Sequence, residues 1–233
     1  MLGNWEAEAG SHAPEHRAFA RAARRRYAVN PRPGEGAIAG GEDENYFAWR
    51  WGDVLLVALD VRAYTPTCHV LDPGVPDAGG PEDFTLGAAQ KKFAEETLIA
   101  HAALPYKVLL SHHTVGGNAG DAVNSAYGRG GGRAARTGEQ AWLHDLMQRT
   151  GAQIFFYGHD HVFTDMVVDD IHYTLPGTSG APWRFEKDVT GYERYATVAG
   201  YARVRVRPES LRVEFVSIEG RSFFHYEVEP RPR

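Results

Sequence analysis

The sequence predicts one domain of mixed α and β structure, of the α/β or α+β class. Strand-like and helix-like patterns alternate as β–β–α–β–α–β up to residue 157, and the patterns that follow are those of antiparallel strands. No linker or internal repeat divides the 233 residues, and a chain of this length buries roughly 70% of its unfolded surface when it folds. We therefore expect residues 1–233 to form a single domain.

The composition excludes several classes of protein. Twenty-five basic and 30 acidic residues give a net charge of −5, whereas a general nucleic-acid binder is usually basic. The single cysteine, Cys68, rules out an internal disulfide and a cysteine-based zinc site. The longest apolar run, Val54 to Leu59, is too short to span a bilayer, and residues 1–6 lack the basic and apolar regions of a signal peptide. We expect a soluble protein without membrane partners.

In the first part of the chain, hydrophobic periodicity separates helices from strands. Residues 12–28 predict a helix, and the Pro/Gly-rich residues 29–43 predict a loop. Residues 46–51 and 54–60 predict two strands joined by a hairpin turn at Gly52-Asp53. Because the second strand is apolar throughout, we expect it to be buried on both faces inside the sheet.

The rest of the chain predicts two helix–strand pairs and then antiparallel strands. A helix at 85–103 precedes a strand at 107–110, and a helix at 139–149 precedes a strand at 152–157. Residues 201–207 alternate strictly between apolar and polar side chains, so one face of that strand should be wet. The antiparallel strands are predicted at 162–168, 171–175, 197–207, 210–218 and 221–228.

A turn with two histidines, Gly158-His159-Asp160-His161, follows a predicted apolar strand. Histidines at positions i and i+2 of a turn can aim both imidazoles at one point, and neutral imidazole is the commonest metal ligand among side chains. Gly158 lets the backbone turn closely and leaves room for a ligand. We interpret this turn as part of a metal site; a surface turn that happens to contain two histidines is the alternative.

A second apolar strand also ends in histidine, at Ser111-His112-His113. Binding sites of α/β sheets assemble at the carboxyl ends of the strands, so two strands that end in histidine suggest one shared site. We assign His112 as the ligand and place His113 beside it. The reverse assignment stays open, and so does a framework role for either histidine. A third segment, Gly3-Asn4-Trp5-Glu6, offers the amide oxygen of Asn4, a hard ligand suited to a divalent ion.

Together these segments resemble the later motifs of the calcineurin-like metallophosphoesterase superfamily, which includes the purple acid phosphatases. The family's GNH[DE], strand-ending histidine and GHxH motifs stand here in the same order as GNWE (3–6), LLSHH (109–113) and GHDH (158–161). Other stretches that look like bacterial members are NYFAWRWGDVLLVALDVRAY, LGAAQKKFAEETL and PGTSGAPW. The resemblance covers nearly the whole chain. It implies an α/β fold, a β-sandwich flanked by helices in α/β/β/α layers.

The resemblance also implies the metal ligands. Asn4, His112 and His159 would ligate one divalent ion and His161 a second, with Fe, Mn or Zn as the expected metals. Family sites hold two ions about 3.5–4 Å apart, which clamp the phosphate and generate the hydroxide that attacks phosphorus in line. The function implied is hydrolysis of a phosphate ester, by a phosphatase or a phosphodiesterase.

Further residues are assigned to catalysis or substrate binding. Trp5 stands where the family has a histidine that protonates the leaving group; its indole only donates and cannot shuttle protons. Losing a general acid typically lowers the rate by roughly 10²–10⁴. Asp160 is expected to orient a ligand histidine, His113 to lie next to the site, and Arg184 to contact the substrate. For Asp60 we favour an internal ion pair with Arg62.

Two earlier family motifs, D-x-H and GD, should precede GNH[DE], yet only two residues precede Gly3. We therefore expect the domain to lack its N-terminal strands, unless Met1 is an internal start. The second ion would have few ligands, so a single bound ion is an alternative. An unpaired sheet edge should also promote self-association. The rival to an enzyme is a non-catalytic, degenerate metal-binding or scaffold protein of the same fold.

Overall fold

The computed structural model describes residues 14–27, 36–41, 45–61, 85–112, 115, 138–158, 161–177 and 195–232. In this part the chain forms three helices and eleven strands. The helices are α1 (Pro14–Tyr27), α2 (Gly87–Ala100) and α3 (Gly138–Thr150). The strands are β1 (Ala37–Gly40), β2 (Phe47–Trp51), β3 (Val54–Ala58), β4 (Tyr106–Leu110), β5 (Ile154–Phe156), β6 (Phe163–Val168), β7 (Ile171–Pro176), β8 (Tyr195–Ala196), β9 (Gly200–Val206), β10 (Leu211–Ser217) and β11 (Ser222–Val228). None of these helices combines the length and the apolar character needed to cross a membrane.

Eight strands form one large mixed sheet, in the order β1-β2-β3-β4-β5-β7-β6-β8. The four strands β3, β4, β5 and β7 run parallel to one another, whereas the strands on either side of them pair antiparallel. Parallel neighbours need long crossover connections, and α2 and α3 lie in the two connections that flank β4 along the chain. The carboxyl ends of β3, β4 and β5 therefore meet at one edge of the sheet.

Alternate side chains of the parallel strands enter two separate cores. In β3, Leu55 and Val57 pack in the cluster that contains Leu98 of α2 and Leu146 of α3. The intervening Val54 packs in a second cluster, with side chains of β10 and β11. Both faces of β3 are thus buried, which confirms the prediction from its continuous apolar run. The predicted α/β class is likewise confirmed, since helices cover one face of a large central sheet and a small sheet covers the other.

The small sheet has the order β11-β10-β9. Side chains that point inward from its strands, such as Val213, Phe215 and Tyr226, belong to the core between the two sheets. Strand β9 lies at the edge, and its Val204 and Val206 remain 44% and 41% exposed. The alternation of β9 was therefore a correct sign of a strand, but an edge position leaves its apolar side chains half uncovered.

A short strand, β1, was missed by the sequence prediction, which placed residues 29–43 in a loop. Its four residues, AIAG, are too few to show a period of two, and glycine is disfavoured in strands. Pairing with β2 makes it a strand, with Ala39 opposite Ala48 and Gly40 opposite Phe47. The loop prediction was wrong here because a contact with another segment outweighed the local sequence.

A buried polar network links the two sheets. Asp165 accepts hydrogen bonds from His172 Nδ1 at 2.9 Å and from Thr174 Oγ1 at 2.9 Å. The Thr174 hydroxyl lies 2.7 Å from the hydroxyl of Tyr226 on the small sheet, and the His172 ring stacks on the Tyr226 ring at 3.9 Å. Burial and the nearby Asp165 carboxylate raise the pKa of Tyr226 well above its usual value. The phenol therefore stays neutral and keeps its hydrogen bond across the interface at any ordinary pH.

Candidate metal site

The candidate site is built from the positions that follow β3, β4 and β5. Ala58 pairs with Leu110 and Leu110 with Phe156, so the residues two places beyond these strand ends are Asp60, His112 and Gly158. The backbone ladder continues past the strands, because Gly158 N donates to His112 O at 2.9 Å. The structure thus brings His112 and the start of the GHDH turn together at one edge of the sheet.

Gly158 lies directly against the imidazole of His112. A Cβ atom placed on Gly158 would stand 3.2 Å from His112 Nδ1, 3.5 Å from its carbonyl oxygen and 3.6 Å from Cε1. Any larger side chain would push the ring away. The sequence predicted that Gly158 leaves room for a ligand. In the structure, His112 borders the space that a side chain would occupy, so the lack of a side chain at Gly158 lets this ring lie close to the backbone.

His161 has a left-handed backbone conformation, with φ of 55°. Among the residues that the structure describes, the other non-glycine positions with positive φ are Asp169 and Asp170, which form the turn between β6 and β7. Non-glycine residues rarely adopt this conformation outside such turns, and backbone strain of this kind tends to persist where a ligand site needs it. His161 therefore has a backbone conformation that is uncommon for a residue with a side chain.

A hydrogen-bonded cluster that sequence reasoning missed fixes the end of β3. Asn45 Nδ2 donates to Asp60 Oδ2 at 3.0 Å. The Gln90 side chain bonds both backbone groups of Asp60: it accepts from the N–H at 2.9 Å and donates to the carbonyl at 2.7 Å. The available signal was Gln90 itself, a polar residue on the side of α2 that should be buried. Arg62, the expected partner of Asp60, lies outside the described residues.

Several predicted site residues also lie outside the residues that the structure describes: Asn4, Trp5, His113, His159, Asp160 and Arg184. Their assignments stay predictions. Of the four expected ligands, the described part contains His112 and His161. It contains no group of three or more His, Cys, Asp or Glu side chains arranged to hold a metal ion.

The described donors have the chemistry of a divalent-metal site. Imidazole suits Zn, Fe and other transition metals. His112 follows β4, and His161 precedes β6, which is separated from β5 by β7 in the sheet. Ser111, next to His112, is fully buried, and its hydroxyl has no hydrogen-bond partner in the described part of the chain. A buried hydroxyl without a partner costs free energy, so the Ser111 hydroxyl could still form a hydrogen bond at this edge of the sheet. Imidazole donors of this kind are suited to a divalent ion, and the assignment of His112 and His161 as ligands stays a prediction.

No protein-family profile matches the chain, and no curated protein matches it significantly. Several solved structures resemble it at low sequence identity. GAP50, the anchor in the inner membrane complex of Plasmodium, matches 79% of the chain with 12% identity and a TM-score of 0.49. The purple acid phosphatase PPD1 from yellow lupin seeds matches 86%, with 14% identity and a TM-score of 0.47. A putative 5′-nucleotidase from Staphylococcus aureus matches 99%, with 16% identity and a TM-score of 0.45.

The chain spans only part of these three proteins: 53% of the Plasmodium protein, 39% of the lupin phosphatase and 37% of the staphylococcal protein. Identities below 25% and TM-scores below 0.5 carry no conclusion about activity. The function of this chain therefore has to be argued from its own residues.

Proposed function

We propose that this chain is a metal-dependent phosphoester hydrolase, a phosphatase or a phosphodiesterase with a dinuclear centre. The observation that supports it best is the contact of His112 with Gly158, at the point where the GHDH turn begins. Two histidine-bearing segments that follow adjacent parallel strands then converge on one locus, which is where α/β proteins place their ligands.

In this proposal Asn4, His112 and His159 hold one divalent ion and His161 contributes to a second, with Fe, Mn or Zn as the metals. When bound, such ions act as Lewis acids toward the phosphoryl oxygens and the attacking water. The chain's own part is to fix the ligands. Gly158 keeps the His112 ring against the turn, and the left-handed His161 directs the chain back toward the sheet.

Other side chains would act around these ligands. Asp160 would orient a ligand histidine through the second ring nitrogen, and His113 would lie beside His112 on the substrate side. Trp5 would cover the pocket or stack on the substrate, because an indole N–H donates but cannot transfer a proton. Arg184 would bind the phosphate ester, since a guanidinium matches two phosphate oxygens at once.

The test is hydrolysis of p-nitrophenyl phosphate and of its bis ester by the purified chain. We expect weak turnover that depends on added Mn²⁺, Fe²⁺ or Zn²⁺ and that falls about 100-fold or more in His112→Ala. The control is His225→Ala, which removes an exposed histidine of β11 and should leave turnover unchanged. Undetectable turnover with all three metals would refute the hydrolase and leave the non-catalytic metal-binding protein as the better description.

A further inference from the structure

A cavity lies on the outer face of the small sheet, away from the strand ends that form the candidate metal site. It has a volume of about 330 Å³. It is lined by three arginines, two glutamates and a serine: Arg205, Arg207, Arg212, Glu209, Glu227 and Ser210. We propose that this cavity binds a phosphate-type oxyanion at a site separate from the metal site.

Like charges face each other across the strands at this cavity. Arg205 on β9 stands directly opposite Arg212 on β10, and directly opposite pairs of like charge destabilise a sheet. Arg212 also faces Glu227 on β11, and its Nη1 donates to Glu227 Oε1 at 3.0 Å. The carboxylate of Glu227 is thus hydrogen-bonded to Arg212.

The nearest other carboxylate in the described part, Glu214, already has a close partner. Arg203 donates to Glu214 Oε2 through Nε at 3.1 Å and through Nη2 at 2.8 Å. These hydrogen bonds lower the pKa of Glu214, so it stays ionised and occupied. Arg205 and Arg212 also form ion pairs with Glu214, but at 3.9 and 4.0 Å these are longer than hydrogen bonds.

The third arginine, Arg207, forms no ion pair with any residue that the structure describes. The Nε atom of Arg212 is buried and has no hydrogen-bond partner among the described residues. The cavity is thus lined by three guanidinium groups and two carboxylates, which leaves one positive charge in excess.

The backbone that carries these side chains is fixed before any ligand binds. The hydroxyl of Tyr106 donates to the carbonyls of Arg207 and Pro208, at 3.0 and 3.2 Å. Arg207 N donates to Ser210 O at 2.8 Å, which closes the turn between β9 and β10. Guanidinium groups bind phosphate-type oxyanions through paired hydrogen bonds, and a backbone that is already ordered removes part of the entropic cost of binding.

The contact with Tyr106 also places this cavity at the far end of the molecule from the metal site. Tyr106 opens β4, whereas His112 follows the end of the same strand, six residues later. At about 3.3 Å per residue the two positions are roughly 20 Å apart. A phosphate bound at the arginines would therefore not be the phosphate that is hydrolysed at the metal ions.

The test measures binding of inorganic phosphate to the metal-free chain by calorimetry at constant ionic strength. We expect the unmodified chain to bind one phosphate. The double variant Arg205→Gln, Arg207→Gln should bind it about tenfold more weakly, because each guanidinium supplies a charge-assisted hydrogen bond. Glu209→Gln should tighten binding by removing a negative charge from the rim. Arg149→Gln, at an exposed ion pair of α3 with Glu95, serves as the control and should bind as the unmodified chain does.

Three results would overturn this proposal. One is the absence of phosphate binding by the unmodified chain, and another is an unchanged affinity in a double variant whose circular dichroism and melting temperature are normal. The third is loss of binding in His112→Ala alone, which would place the phosphate at the strand ends. The hydrolase proposal does not depend on this measurement, since it is tested by metal-dependent turnover.

Discussion

The variant Gly158→Val is expected to lower metal-dependent hydrolysis about 100-fold while the protein remains folded. The Cβ of the new side chain would stand 3.2 Å from His112 Nδ1, closer than an ordinary van der Waals contact, so the ring would have to shift. Gly158 is not among the glycines with positive φ, so valine meets no backbone penalty and the damage is confined to the position of the imidazole. As the proposed ligand, a displaced His112 would bind the metal ion more weakly while the sheet stays folded.

Gly138→Val is the matched control. Gly138 begins α3, does not have positive φ, and has no other described residue within 4 Å of the place where a Cβ would go. It should retain the hydrolytic rate and the metal dependence of the unmodified chain. Equal activity in the two variants would show that His112 does not need to sit against the turn, and would contradict the site described above.

The largest effect on stability is expected from Lys107→Met. Lys107 is fully buried in β4, and its ammonium donates to the carbonyls of Ala102, Leu104 and Arg231, at 2.9, 2.6 and 2.9 Å. Methionine keeps the volume of the stem but leaves three part-buried carbonyls without this charged donor. We expect the free energy of unfolding to fall by about 1–3 kcal/mol, the usual cost of leaving buried acceptors without their donor.

Chemical denaturation of Lys107→Met and Lys92→Met gives the comparison. The side chain of Lys92 is 75% exposed and forms a loose ion pair of 3.9 Å with Glu96, so its replacement should change stability by less than about 1 kcal/mol. Similar losses in the two variants would mean that the carbonyl bonds of Lys107 contribute little. The 229–231 segment should also become more open to proteolysis in Lys107→Met, because this ammonium holds the Arg231 carbonyl.

The central strands were predictable because their own sequences indicate that they are buried. An apolar residue at every position of Val54–Ala58 is typical of a strand covered on both faces, and the structure places it so. The helices that follow have the 3.6-residue period of elements with one buried face. By contrast, β1 forms because it pairs with the edge of β2, and the sequence AIAG does not indicate this pairing.

The same division holds at the candidate site. That His112 and Gly158 meet follows from a general rule, since both come directly after neighbouring parallel strands. The bonds of Gln90 to the backbone of Asp60 depend on how α2 packs across β3, and the left-handed conformation of His161 depends on how the chain leaves the turn. Packing geometry of this kind is absent from a sequence pattern. The arginine cavity was missed for a similar reason, because it is formed by three strands that are brought side by side.

The most direct test of the central claim is the number of metal ions that the chain binds. Calorimetric titration with Mn²⁺ and with Zn²⁺ would be done on the metal-free chain and on His112→Ala and His225→Ala. We predict that the unmodified chain binds at least one ion tightly, that His112→Ala loses an ion, and that His225→Ala binds as the unmodified chain does. No binding by the unmodified chain, or equal binding by a folded His112→Ala, would contradict the assignment of the strand ends as a metal site.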